Sequence, residues 1–467
     1  MQNYVSMKTF TPLLLLLISY SLSAQPTPIA PDGGGAYRIN ENATPCISPE
    51  QYKMIEQQLQ QSASKYPIAN PYRAAMSYSW PLKPAPSITD CSYYFISAHV
   101  DQDTMPTTFK DYNCGTIVYD GHKGTDIALW PFPFYKMDNN QVEVIAAAPG
   151  TIYNKVDGNF DKNCAANSNP ANYIAIQHAD GSIAIYYHMK KNSLTSKTIG
   201  QSIATGEYLG MVGSSGSSSG PHLHFEVWSG ATVSTRKDPF AGTCNTLNAT
   251  TLWASQKPYT EPVVIAVVVG KVAPVIPACP ATETPNEDSC FTTGTAVFSI
   301  FTRNETNGTS ISLRIINPNN TIYSSWTHTC SITAPAAGWN WTRPLPVVAG
   351  TYTFEANYNG VICSKKFRVN CGVSDISETD NHSIASIYPN PSTGKFVIEV
   401  ANGEQPKQGE FELYNVEGGL VYHSKMATTA SSTVIRQEFD LNVPNGFYFY
   451  KVKDGLHFIA SGKLLIQ

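Results

Sequence analysis

Charge is scarce in this 467-residue chain: Asp, Glu, Lys and Arg make up only 14% of it, and the net charge is −4. A surface so sparsely charged gives no electrostatic reason to expect a nucleic-acid partner. The chain also lacks blocks of like charge and a long-period repeat, which argues against interaction tails and solenoids. Long apolar runs are missing as well. The run Pro12 to Leu22 follows Lys8 and precedes Ser23-Ala24; it is too short for a comfortable membrane span and reads as a secretory signal. Val263–Val269 is shorter still and suits a strand. The mature chain is therefore expected to be exported, without a transmembrane segment. None of the ten cysteines forms a C-x-x-C pair, which argues against a cysteine zinc knuckle or a thioredoxin-like site. In an exported chain they are expected to form disulfides; spacing does not fix the pairing, though Cys91 with Cys114 would be local.

What is plentiful is Tyr, Thr, Asn, Gly and Pro, a composition that favours strands and turns. Helix signals are few. Ser48-Pro49-Glu50-Gln51 has the form of a capping box with Pro in the first turn, and predicts a helix to about Lys65. The expected fold is mainly β. Residues 1–24 are the signal and 25–77 an N-terminal extension, loose from Gln25 to Pro45 and then helical. Residues 78–256 carry short strands such as Val142–Ile145 and Gly150–Lys155, and a hairpin, Tyr173–Gln177 to Ser182–His188, around Asp180-Gly181. A Pro- and Val-rich connector, 257–289, leads to an immunoglobulin-like β-sandwich at 290–371. A polar linker, 372–386, precedes a last β module at 387–467.

One stretch organises the chemistry. In Gly220-Pro221-His222-Leu223-His224-Phe225-Glu226, strand alternation puts His222 and His224 on one face, with Leu223 and Phe225 on the other. About a hundred residues upstream, Gly121-His122-Lys123-Gly124-Thr125-Asp126 offers another imidazole and a carboxylate. Three ligands drawn from His122, Asp126 and one of the later pair leave a fourth zinc position open for water, as hydrolytic sites do. Taken singly, each motif has an ordinary explanation: a polar turn for the first, a structural histidine for His188 at the hairpin end. His99, His178, His328, His382, His423 and His457 are read as structural. Gly216-Ser217-Ser218-Ser219-Gly220 fits the G-x-S-x-G pattern, but Pro221 and a strand follow it where a nucleophile elbow needs a helix. It is read as a flexible rim beside the metal site.

Together, Gly121-His122-Lys123-Gly124-Thr125-Asp126, Tyr187-His188-Met189, Gly206-Glu207, Leu209-Gly210, Gly213-Ser214-Ser215-Gly216 and the His222-Leu223-His224 strand resemble the lysostaphin-type zinc endopeptidases across roughly Trp80 to Trp253. The resemblance implies the antiparallel β fold called the duplicated hybrid motif, with one zinc ion held by His122, Asp126 and His224. It makes His188 and His222 catalytic. It also implies hydrolysis of peptidoglycan cross-link peptides, or of Gly-rich extracellular protein; the competing expectation is a catalytically silent wall-binding protein. Insertions around Cys114 and Asn159 to Asn172 exceed the compact family core. Ile387-Tyr388-Pro389-Asn390-Pro391, Leu413-Tyr414-Asn415-Val416-Glu417-Gly418, Gly446-Phe447-Tyr448 and the closing Gly462-Lys463-Leu464-Leu465-Ile466 resemble a type IX secretion sorting domain. That resemblance implies a Bacteroidetes-type source, the type IX machinery as partner, and a secreted or cell-surface destination.

Overall fold

The computed structural model describes residues 29–37, 46–66, 75–105, 107–279, 281–292, 294–371, 384–401, 409–426, 434–454 and 457–467. The signal segment, His382 and most of the 372–386 linker lie outside the described residues. The chain divides into two compact units, one ending at Cys371 and the other beginning at Gly372. Among the described residues, no helix is long and apolar enough to cross a membrane.

The first unit is built on an antiparallel sheet. Its strands run in the order Tyr94–Ala98, Thr125–Leu129, His222–Trp228, Ile183–Tyr187, Tyr173–Gln177, Gly150–Val156 and Ser202–Ile203. A smaller sheet joins Tyr208–Met211, Val142–Ile145 and Leu82–Pro84. All seven residues of His222–Trp228 are buried, because both faces of the sheet are covered. Leu223, Phe225 and Val227 enter an apolar core with Ile127, Leu129, Ile174, Ile176 and Tyr186. The opposite face, which carries Tyr153, Tyr173, Tyr187 and Trp228, is covered by helix α1 (Pro49–Lys65).

Helix α1 forms as the sequence predicts: Ser48 and Gln51 close the capping box and Pro49 opens the first turn. Its buried residues Tyr52, Ile55 and Leu59 recur at helical spacing on one face. Burying Ile55 and Leu59 contributes about 1.5–3 kcal/mol each.

The sandwich pairs a four-stranded sheet, ordered Gly33–Tyr37, Ala334–Pro344, Thr295–Glu305, Val263–Gly270, with a five-stranded one. Phe298, Trp326, Trp341 and Phe354 fill the space between them. The module is therefore not confined to 290–371. The stretch expected to be a connector supplies an edge strand, and the segment expected to be loose supplies the opposite one. Val263–Gly270 reads as a continuous apolar run because it is buried on both faces. Val264, Val267 and Val269 face the sandwich core, while Ile265, Ala266 and Val268 pack with Phe95 and Trp130 of the first sheet.

Disulfides link Cys91–Cys363, Cys114–Cys244, Cys164–Cys279 and Cys290–Cys371. The expected Cys91–Cys114 bridge does not form, because Cys114 is carried on a turn whose neighbour Tyr112 binds the Cys244 backbone N–H at 2.8 Å, while Cys91 faces the sandwich. Cys46 and Cys330 are free and buried, against the expectation that the cysteines form disulfides.

The second unit, taken by itself, has a three-stranded sheet (Ile384–Tyr388, Lys395–Ala401, Val434–Asp440) and a four-stranded one (Leu420–Lys425, Gly409–Tyr414, Gly446–Asp454, His457–Ile466). Phe396, Phe411, Phe439 and Tyr450 form its core.

Candidate metal centre

Strand register assembles the centre. Asp126 lies directly opposite His224 in the antiparallel pair of Thr125–Leu129 with His222–Trp228, and Tyr187 lies opposite His224 on the other side. His122 sits in the turn just before the first of these strands. Gly124 is required there by space: a Cβ at that position would stand 2.6 Å from His224 Nε2 and 2.9 Å from the Phe225 carbonyl oxygen. His224 Nδ1 lies 2.8 Å from Asp126 Oδ1 and 3.2 Å from His122 Nε2, and His122 Nε2 lies 3.1 Å from Asp126 Oδ2.

The hydrogen bonds around this cluster decide which ring nitrogens carry protons. His122 Nδ1 lies 2.7 Å from the His99 carbonyl oxygen, which can only accept, so Nδ1 is the donor. His224 Nε2 lies 2.7 Å from Glu226 Oε1, so its proton is used on that carboxylate. His122 Nε2 and His224 Nδ1 then present lone pairs to each other and to the Asp126 carboxylate. Such a convergence of electron-pair donors is satisfied by a cation, and the donor types are those of zinc. The residues present thus fit a metal.

Burial alone would push His122 down and Asp126 up, but pairing outweighs it. Beside Asp126, His122 is raised to about 9, and the His122 and His222 rings hold the Asp126 carboxyl well below the usual carboxylate range. A bound cation would favour the same ionised carboxylate while taking the place of the imidazolium proton.

His188 and His222 flank the cluster, their ring centroids 4.5 Å apart. Each is fixed by a carbonyl: His188 Nδ1 donates to the Ser215 oxygen at 2.6 Å and His222 Nδ1 to the Gly220 oxygen at 2.8 Å. Both Nε2 atoms are buried, with no hydrogen-bond partner among the described residues. His222 Nε2 stands 3.6 Å from Asp126 Oδ1. His188 has φ of 64°, a left-handed conformation uncommon for a non-glycine residue and characteristic of functional sites. Burial, and then the neighbouring His222, push the His188 imidazole down. Burial acts the same way on His222, but Asp126 outweighs it and raises that ring.

All five residues singled out in the sequence therefore meet in one place. Several others were not foreseen. The Gly/Ser segment is no flexible rim: Ser214, Ser215, Ser217 and Ser218 are buried, Ser215 holds His188, and Ser218 Oγ lies 3.4 Å from His222 Nδ1. His99 contributes through its backbone carbonyl. Glu226 also accepts from Trp228 Nε1 at 2.6 Å and from the Tyr52 hydroxyl at 2.5 Å; its position, two residues past His224, was a legible signal. Cys46 was the least expected. Its Sγ lies 3.1 Å from His224 Nδ1, and it joins His122, Asp126 and His224 in one group of ligand atoms within 4.8 Å of one another. A cavity of about 410 Å³ opens beside the centre, lined by Cys46, Tyr119, Asp126 and His222 and, from the sandwich, by Asn304 and Thr306.

An antiparallel sheet carrying a buried imidazole-and-carboxylate donor set defines the class to which the first unit belongs. Residues 120–237 match peptidase family M23, and residues 386–467 match the secretion system C-terminal sorting domain. The chain thus carries a lysostaphin-type M23 peptidase domain, which contains all five site residues, and a type IX sorting domain. A relative from Buchnera aphidicola subsp. Baizongia pistaciae, described as an uncharacterized metalloprotease, is 44% identical over 57 residues; these make up 12% of this chain and 14% of that protein. Among solved structures, the catalytic domain of the antimicrobial peptidase lysostaphin from Staphylococcus simulans is 25% identical, with 26% of this chain and 76% of that chain covered and a TM-score of 0.19. A zinc-containing peptidase from Vibrio cholerae is 20% identical, covering 38% of this chain and 41% of that one, with a TM-score of 0.23.

Proposed function

We propose that this chain is an exported zinc metalloendopeptidase that cleaves peptide bonds in peptidoglycan cross-links or in Gly-rich extracellular protein. The observation that carries the reading is the convergence of His122 Nε2, Asp126 and His224 Nδ1 beside two histidines whose Nε2 atoms have no hydrogen-bond partner among the described residues. His122, Asp126 and His224 would hold the ion, with Glu226 orienting His224. When bound, zinc supplies a Lewis acid and lowers the pKa of a water to about 7.

His188 and His222 handle protons. Because Nδ1 of each donates to a carbonyl, Nε2 of the neutral ring is an acceptor facing the centre and can take a proton from the attacking water. Once protonated, the same nitrogen donates to the developing oxyanion or to the departing amine. The cavity beside His222 receives the peptide, with Asn304 and Thr306 of the sandwich on its wall. The sorting domain supports export and a secreted or cell-surface destination through the type IX machinery. A foreign cell wall or an extracellular protein is then within reach.

Zymography of the protein as the native cell releases it, on purified cell wall and on a Gly-rich protein gel, tests the reading. Clearing that chelator abolishes and added zinc restores is expected, and the gel that clears identifies the substrate. Intact gels with metal-replete protein would leave the silent wall-binding alternative in its place.

A further inference from the structure

Eight of the ten cysteines are paired, and one of the two left over stands at the metal centre. A reduced, buried thiol in a disulfide-rich exported chain needs a physical reason. With metal–nitrogen bonds of about 2.0–2.1 Å and a metal–sulfur bond of about 2.3 Å, the edges of a tetrahedral site measure roughly 3.3–3.6 Å. The separations of 3.1 Å from Cys46 Sγ to His224 Nδ1 and 3.2 Å from His122 Nε2 to His224 Nδ1 are close to such edges. Cys46 is thus placed as a fourth ligand, at the position that hydrolytic sites keep for water.

A second, independent observation concerns the chain that follows. Helix α1 begins three residues after Cys46 and lies over the sheet face that bears His224, Glu226 and Trp228. It is anchored along its length. Gln51 Nε2 donates to the Asn169 carbonyl at 2.9 Å, Tyr52 donates to Glu226, Glu56 accepts from the Val233 N–H at 2.8 Å, and Gln58 accepts from Asn154 Nδ2 at 2.8 Å. Beneath it lie Tyr153, Tyr173, Tyr187 and Trp228, an aromatic face that stands next to the donor set.

We infer that Cys46 is the fourth ligand of the bound metal, and that residues 46–66, packed on the aromatic face beside the centre, hold it there so that the folded full-length chain is latent. The inference rests on the metallopeptidase reading above. Cys46 binds as thiolate, its proton passing to solvent as the metal enters. A centre with four protein ligands is of the closed, structural type; with three it is of the open, catalytic type. Displacing residues 46–66 therefore does two things at once: it gives water the fourth position and it uncovers the aromatic face.

Metal ligation, read without activity, tests this. Full-length protein and its C46A variant are loaded with cobalt(II), and metal content and near-ultraviolet absorption are measured. One metal per chain in both is expected, with a thiolate-to-cobalt charge-transfer band in the wild type that C46A lacks; C46S serves if C46A fails to fold. In the zinc-loaded wild type, peptide mapping after iodoacetamide should show Cys46 alkylated at least tenfold more slowly than after chelation, with Cys330 as the buried thiol that metal does not protect. Identical cobalt spectra, or metal-independent alkylation of Cys46, would overturn the Cys46 assignment while leaving the peptidase reading intact. Absence of bound metal from both folded proteins would overturn both.

Discussion

Among the described residues, two buried clusters combine cysteine, histidine and carboxylate, and they are organised differently. One is Cys46, His122, Asp126 and His224 in the peptidase domain; the other is Glu305, His328 and Cys330 in the sandwich. In the first, every imidazole is aimed by an acceptor behind it: the His99 oxygen for His122, Glu226 for His224. In the second, neither His328 nitrogen has a hydrogen-bond partner among the described residues, and its Nε2 stands 3.6 Å from Glu305 Oε1. Glu305 is held instead through its other oxygen, by Trp339 Nε1 at 2.8 Å and the Thr302 hydroxyl at 2.9 Å. The same residue types thus make a set of converging lone pairs in one place and a packed polar core in the other. The acceptors behind the ligands, rather than the ligands, make the difference.

The largest expected effect breaks the comparison outright. His224→Ala should remove the metal and the activity together, whereas His328→Ala should leave one metal per chain; elemental analysis of the two folded variants decides it. Stoichiometric metal in His224→Ala would mean that the ligand roles are wrongly assigned.

Next come the flanking histidines. His188→Ala and His222→Ala should each retain the metal but lose roughly a hundred- to ten-thousand-fold in kcat, the usual loss on removing a proton-transfer group. Metal loss from either folded variant would move it into the ligand set.

A smaller effect should follow from the acceptor behind His224. Glu226→Gln should weaken metal binding by about 10–100-fold, measured by competition with a chelator, without emptying the site at saturating zinc. Gly124→Ala should act in the same direction, since its Cβ would press on the same ring nitrogen. Unchanged affinity in both would show that His224 does not depend on its support.

The smallest effect concerns acid stability and belongs to the sandwich. Burial pushes the Glu305 carboxyl up, but the neighbouring His328 ring and the hydrogen bonds from Trp339 and Thr302 outweigh it and hold it below its usual value. A carboxylate depressed in the folded state contributes stability that is present above its unfolded pKa and lost as pH falls through the folded one. Thermal unfolding of the wild type should therefore weaken faster than that of Glu305→Gln between about pH 5 and pH 3. Parallel pH profiles would remove the carboxylate from that account.

The candidate site was largely legible because it is local and periodic. A period of two put His222 and His224 on one strand face, and Glu226 continued the same row unread. The hairpin around Asp180-Gly181 located His188. Helix α1 was legible from its capping box. The sandwich boundaries were not, because its two edge strands, Gly33–Tyr37 and Val263–Gly270, come from opposite sides of the peptidase domain in sequence. A run of seven apolar residues also carries no mark of which partners cover its faces.

The sequence by itself determined the local chemistry of this protein: the strand alternation that presents His222 and His224, and the Ser48 cap that starts α1. Each is set by backbone sterics and side-chain spacing within a few residues. Only the tertiary structure decided which cysteines pair, that the Ser215 carbonyl aims His188, 27 residues away, and that Cys46 meets His224, 178 residues away. Those contacts depend on chain crossings whose geometry is set by burying both faces of one sheet, and no local pattern encodes them.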